Sequence, residues 1–463
     1  MEEENLVVGL DIGTSKICAV AGFMQSDGAI KVSGFVERPV SPKDEVLNRG
    51  EIENAQRTIE IIDEVLEELA ENLKINLETV NINISNPDIK GIQHKGKVTK
   101  SGENKQIHQV DVDKLLDDVK VTYKSNPGNL VLHCMPQDFY VNDVKAGEKV
   151  VGKFGVQIGG DFYFLSTKTE SIENLYYTIK NVKAKTEDPN ANPIQIEHVL
   201  LSSVADAMSL LDSSIDDKRN GVALVNIGAE MTEISIYQKS GLRYYKSMPI
   251  GGHAITNDLR EAFNISFEDA EILKKVCGNI PSKSISENEI AVIERKEGLA
   301  PIEIIMKNAS LVVEWRLKEI AAIIKSEIIR SGYDNTLTNG IILTGGTSSM
   351  AIIKDIFIHV CKTKGIRKAK INSKINFNGF EFINKPKYST VLGLLMPSYI
   401  NFDSRLDNRI LKHAPLVESK QETSTPQSGG KPKSVKTEKS SKGSLFDRMK
   451  KFITDDNMDD DYS

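Results

Sequence analysis

Leu6 Val7 Val8 Gly9 Leu10 Asp11 Ile12 Gly13 Thr14 Ser15 Lys16 Ile17 Cys18 Ala19 Val20 Ala21 is two short apolar runs joined by a polar turn. Runs of this length and composition, at 6–10 and 17–21, predict two buried strands, and Gly13 in the turn lets backbone approach a ligand closely. The turn carries groups suited to phosphate. Thr14 and Ser15 offer hydroxyls, successive N–H groups can form an anion-binding concavity, Lys16 is a point cation, and Asp11 can hold a magnesium ion through water. Taken alone, the stretch reads equally as an ordinary tight hairpin, because such turns favour Gly, Asp and Thr.

Two downstream pieces strengthen the phosphate reading. Residues 221–237, GVALVNIGAEMTEISIY, repeat the same form: apolar strand, polar residue, Ile-Gly, turn, apolar strand. Here Gly228, Ala229 and Thr232 are the candidate phosphate contacts, and the duplication predicts two similar halves facing one cleft. Residues 340–347, GIILTGGT, form a buried strand ending in Gly345, Gly346 and Thr347, where backbone can lie flat against a purine ring. Between these pieces, helical spacing places Glu271, Lys274 and Lys275 on neighbouring faces. Without the glycine pieces, surface charge alone is the preferred account of that helix.

Composition bounds the class. A chain of 463 residues, 40% apolar, buries a large core and divides into two or more domains. Its 59 Lys and Arg against 65 Asp and Glu give no general case for nucleic acid. The cysteines at 18, 134, 277 and 361 are widely spaced, which argues against a zinc or disulfide scaffold and fits a reducing compartment. The acidic start, Met1 Glu2 Glu3 Glu4, does not resemble a secretory signal, and no apolar run reaches membrane-spanning length, so a cytoplasmic protein is expected.

After the first hairpin come a strand at 30–36, a helix from about Asn54 with Ile59, Ile62, Leu66 and Leu69 on one face, and a strand at 80–84, the pattern of an α/β layer. Residues 85–166 change texture, with more Gly and Lys and one helix near 112–123, and predict a small inserted α+β module. A structureless loop of that length inside a domain is uncommon. Helix, strand and helix follow over 171–211, and a long helix over 308–332.

In this order the pieces resemble the actin-like ATPase superfamily, and more closely its FtsA cell-division family. Residues 133–140, HCMPQDFY, 151–156, VGKFGV, and 251–258, GGHAITND, are similar to segments of that family. The resemblance implies two RNase-H-like halves around a nucleotide cleft that holds ATP with Mg2+. It implies a first half built from 1–84, 166–200 and 385–402, an insertion at 85–165, a second half from 201–250 and 331–384, and a helical subdomain at 251–330. It further places Asp11, Gly13, Thr14, Ser15 and Lys16 on the phosphates with Gly228 and its neighbours, Gly345 and Gly346 on the adenosine, and Glu271, Lys274 and Lys275 beside ribose and adenine. Arg316 and Glu319 would help bind the C-terminal tail of the tubulin-like protein FtsZ. As an i,i+3 pair they read equally as a solvated helix face.

The second hairpin departs from the family's D-I-G-G-G-T-T-D: Asn226 stands for the Asp, Glu230 for a Gly and Met231 for a Thr. An amide holds metal-bound water less well than a carboxylate, and Glu230 brings negative charge towards phosphate. A nucleotide bound as a structural ligand, turned over slowly or not at all, is therefore expected.

Beyond about 403 the apolar periodicity stops, and 403–443 reads as a disordered tether. Residues 444–454 then form an amphipathic helix with Leu445, Phe446, Met449, Phe452 and Ile453 on one stripe and Arg448, Lys450 and Lys451 as positive charge, before an acidic tail at 455–463. Such a helix reads as an in-plane anchor on anionic lipid, with a protein partner as the alternative. The expected function is a peripheral scaffold at the division site, on the cytoplasmic face of the inner membrane, that forms filaments and meets FtsZ and other division proteins. A sugar kinase and a pilus-assembly adaptor of the same superfamily are the alternatives.

Overall fold

The computed structural model describes residues 6–396 apart from 101–104, 124–126, 148, 184–193, 212–216, 218–219, 240, 295–299 and 364. The tether, the amphipathic helix and the acidic tail predicted beyond 403 lie outside the described residues.

The first hairpin forms as the apolar runs dictate. Leu6–Ile12 pairs antiparallel with Lys16–Met24, from Leu6 opposite Phe23 to Ile12 opposite Ile17. Ile30–Pro39 extends the sheet on one side, while Thr79–Ile84 and Gln195–Leu201 add parallel strands on the other. Near-continuous burial of the first two strands reflects cover on both faces. One cover is the helix Ala55–Leu73, started by the Asn54 side chain accepting the Arg57 N–H at 3.0 Å and turned towards the core through Ile59, Ile62, Val65, Leu66 and Leu69.

The second sheet repeats this plan. Val222–Ile227 and Thr232–Gln238 form the hairpin, Gly241–Met248 extends it antiparallel, and Ile341–Thr344 and Ile366–Lys368 continue it in parallel. Two sheets of the same order, each with its own apolar core, make an actin-like fold of two RNase-H-like halves. The chain has rejoined the first sheet by Ile375–Asn376, which pairs parallel with Ile30 and Lys31, earlier than the expected 385. Two residues of strand carry too little pattern to reveal this crossing in sequence.

The insertion folds as a separate four-stranded antiparallel sheet, in the order Lys90–Thr99, Gln157–Lys168, Asn129–Val141, Val144–Gly147, with the helix Gln109–Thr122 on one face. Ile107, Leu115, Val119, Phe162 and Phe164 are its fully buried centre. Lys90–Thr99 was illegible as a strand because Lys, Gln, His and Gly fill most of its positions and none of its residues is buried. The module also grips the edge strand of the second half. Gln137 Nε2 donates to the Leu242 carbonyl at 2.7 Å, Arg243 Nη1 to Asp138 at 3.1 Å, and the Tyr245 N–H to Tyr163 Oη at 3.1 Å.

Candidate functional site

The two hairpin turns lie on one cleft, which divides into two cavities. A hairpin cavity of about 150 Å³ is lined by residues 11–16 of the first turn, by Gly228, Ala229, Glu230 and Met231 of the second, and by Gly345 and Gly346. A helix-side groove of about 430 Å³ is lined by Glu271, Lys274 and Lys275 together with Gly252, His253 and Thr347. Ser15, Lys16, Ala229, Gly346 and Lys387 belong to both.

Local structure fixes each wall. In the first turn the Gly13 N–H donates to the Lys16 carbonyl at 3.0 Å, and in the second the Gly228 N–H donates to Met231 at 2.8 Å, so both turns close in the same way. Gly345 has φ +85°, and a Cβ there would stand 2.3 Å from Asn226 Oδ1 and 2.6 Å from the Ile227 carbonyl. Only glycine lets this strand end lie against the second hairpin. Beside Gly346 the space is open, with no atom within 4 Å of a would-be Cβ, which leaves room for a flat ligand against the backbone.

Asp11 is almost fully buried, and both its oxygens are engaged: Lys16 Nζ lies 3.1 Å from Oδ2, and Asn83 Nδ2 donates to Oδ1 at 2.8 Å. Burial works against the charge of Lys16, but Cys18 and Asp11 outweigh it and hold the ammonium above the usual lysine range. Burial pushes the Cys18 thiol up to about 12. Lys387, which sequence reasoning passed over, lies 4.3 Å from the Tyr388 ring centroid, and Lys16 lies 5.3 Å from the same centroid. Lys387 is also 3.7 Å from Glu37.

On the groove side Lys274 bonds Glu271, Thr256 Oγ1 at 2.9 Å and the Gly252 carbonyl at 3.3 Å; burial lowers its pKa despite Glu271. Lys275 is exposed. Thr232 is not brought to the cleft. Its hydroxyl is buried and donates to the Ile250 carbonyl at 2.7 Å, which ties the hairpin to the following loop. Arg316 and Glu319, on the helix Met306–Arg330, are 2.6 Å apart and line neither cavity. Arg316 turns inward, with Nη2 2.6 Å from Asp258 Oδ1 and Nε on Oδ2, while Glu319 stays half exposed.

Beneath the cleft lies a buried acidic network that no motif announced. Asp206 accepts from Asn226 Nδ2 at 2.6 Å, Ser389 Oγ at 2.6 Å and Thr390 Oγ1 at 2.9 Å, and burial pushes it up to about 6 against those bonds. Glu233 in the cavity wall accepts from Tyr245 Oη at 2.5 Å and is pushed by burial up to about 8. Asn83 and Lys387 stand in stretches with no glycine signature, and only the fold brings them to the hairpins.

The family described as "Cell division protein FtsA" matches residues 223–393, and "SHS2 domain inserted in FTSA" matches 87–166. The chain belongs to the FtsA family. Membership gives it a role in cell division, and the inserted module is the family's SHS2 domain. Cell division protein FtsA of Pseudomonas aeruginosa is 26% identical over 402 residues, 86% of this chain and 90% of that protein. Its counterpart in Borreliella burgdorferi is 25% identical over 431 residues, 92% and 98%. A solved structure of a PilM-PilN type IV pilus biogenesis complex is similar in fold, with a TM-score of 0.59 at 14% identity, over 84% of this chain and 97% of that one. Among the described residues no helix is long and apolar enough to cross a membrane.

Proposed function

We propose that this FtsA-family chain is a nucleotide-binding scaffold that ties FtsZ filaments to the membrane during division. The observation that carries the reading is the pair of like-built turns lining one cleft, with Lys16 at the end of the first and an open glycine, Gly346, in the same wall. The residues fit a nucleotide: Lys16, Thr14 and Ser15 take phosphate, Gly346 leaves room for the nucleoside, and Lys274 with Glu271 borders it. Asp11, each oxygen already accepting a hydrogen bond, suits contact with Mg2+ through water. ATP acts as a ligand between the halves, with slow or no turnover, because Asn226 replaces a carboxylate and is itself bonded to Asp206.

Attachment comes from the C-terminal stripe of Leu445, Phe446, Met449, Phe452 and Ile453, flanked by Arg448, Lys450 and Lys451. One such helix binds modestly and reversibly, and many along a filament of this chain hold firmly by effective concentration. Arg316 and Glu319 contribute to the surface that receives the FtsZ tail. Co-sedimentation with anionic liposomes, with and without ATP, tests the scaffold, using the full chain against one ending at Lys442. Liposome binding and FtsZ recruitment that vanish together on truncation support it. Equal binding by the two proteins points the helix to a protein partner instead.

A further inference from the structure

The hairpin cavity is charged unevenly. Lys16 and Lys387, gathered around the Tyr388 ring, stand on the wall shared with the helix-side groove, whereas Asp11, Glu51, Glu230 and Glu233 line the hairpin cavity alone. Three of these carboxyls are met from within their own side of the cavity: Asp11 by Lys16, Glu51 by the Ser171 hydroxyl at 2.7 Å and Glu233 by Tyr245 Oη at 2.5 Å, and burial moves the last two towards the protonated form.

Glu230 is different. Burial opposes its ionisation, but His253 and the Arg49 N–H outweigh that and hold its carboxyl below the usual glutamate range. It is therefore a fixed negative charge, with a side chain 27% exposed. Its position is over-determined. Arg49 sits at φ +51° and Gly50 at φ +81°, making the tight turn between Leu47–Asn48 and Glu51–Ile52 in the first half. That turn presents the Arg49 N–H to Glu230 across the cleft at 2.8 Å, and His253 Nδ1 lies 3.8 Å away on the other side.

We propose that Glu230 sets how many phosphates the cleft accepts, so that it holds a nucleoside diphosphate in preference to the triphosphate. The inference rests on the nucleotide reading above. A nucleoside beside Gly346 starts its phosphates at the shared wall, next to Lys16 and Lys387. A third phosphate then runs further into the hairpin cavity, towards Glu230. Like charges brought together in a partly desolvated site oppose binding strongly, while a diphosphate ends nearer the lysines. ATP binds, but less tightly than ADP.

The test is calorimetric titration of the full chain with ADP and with ATP in magnesium buffer, for the wild type, Glu230→Gln and Glu230→Asp. The glutamine keeps the acceptor for the Arg49 N–H and removes the charge; the aspartate keeps the charge. Wild type and Glu230→Asp should both favour ADP, and Glu230→Gln should tighten ATP about tenfold while changing ADP less than about threefold. An ATP-to-ADP affinity ratio that is the same in wild type and Glu230→Gln overturns the inference and leaves nucleotide binding standing. Binding of neither nucleotide by any of the three proteins removes the nucleotide reading, and the inference with it.

Discussion

Asn226 donates its side-chain amide to the carboxylate of Asp206 at 2.6 Å. The bond gives the amide of the second hairpin an acceptor that a carboxylate at 226 could not use. Asp206 is fully buried and already raised to about 6 by that burial; three donors surround it, and Asn226 is one of them. A carboxylate at 226 would replace a donor with a second acceptor in contact with a buried acid.

Asn226→Asp should therefore destabilise the fold by about 1–3 kcal/mol at pH 8, and by less at pH 5, where the two carboxyls share a proton. An acid whose folded pKa is raised contributes stability that is present below its unfolded value and lost as pH rises through the folded one. Thermal midpoints of wild type and variant at the two pH values check this. A variant hurt more at pH 5 than at pH 8 contradicts it.

Glu233 should show the same sign over a wider window. Its folded pKa of about 8 against an ordinary 4.5 means that stability favouring the protonated acid is lost between about pH 4.5 and 8. Glu233→Gln keeps an acceptor for Tyr245 and cannot ionise. At pH 9 it should be more stable than wild type by roughly 1–3 kcal/mol, and at pH 5 no more stable. Denaturant midpoints across that range measure the crossover.

Arg316 and Glu319 should separate sharply. Removing Arg316 leaves Asp258, whose side chain is 12% exposed, without its bidentate partner, and should cost about 2–4 kcal/mol. Glu319 is half exposed, and Glu319→Ala should cost under about 0.5 kcal/mol. Any loss of FtsZ-tail binding in Glu319→Ala then reports on the surface, whereas in Arg316→Ala it must be corrected for folding. Paired unfolding and peptide-binding curves provide both numbers.

Arg243 pins the inserted module to the second half. Its guanidinium and the Asp138 carboxylate are both nearly enclosed, at 7% and 10% exposure. Arg243→Ala should cost about 3–5 kcal/mol. It should also raise hydrogen exchange in the strands Gly241–Met248 and Asn129–Val141 before the rest of the molecule, because the bonds of Gln137 to Leu242 and of Arg243 to Asp138 join these two strands. Uniform exchange across the chain would show that this contact is not a local clamp.

Much of the fold was legible because its signals are local. Apolar runs around Gly13 and Gly228 specify the two hairpins, the spacing of Ile59, Ile62, Leu66 and Leu69 specifies the first helix, and the composition change near 85 marks the module. The exposed polar strand Lys90–Thr99 and the two-residue strand at Ile375 were not legible, since pairing rather than side-chain pattern makes them strands. Thr232 shows the limit within a motif: its neighbours line the cleft, but the strand's alternation carries its hydroxyl to Ile250.

The sequence alone determined two like halves, the residues of both turns, and the glycines that keep the strand ends slim, because these depend on neighbours within a few positions. Tertiary structure alone decided which charges share a space. Residues 49 and 230, 206 and 389, and 138 and 243 are far apart along the chain and meet only when the halves and the module pack together. Burial there makes Glu233 a weak acid, while His253 and the Arg49 N–H keep Glu230 charged and Asp258 turns Arg316 inward. Desolvation and hydrogen bonding act on where a side chain finishes, and the order of residues does not state that place.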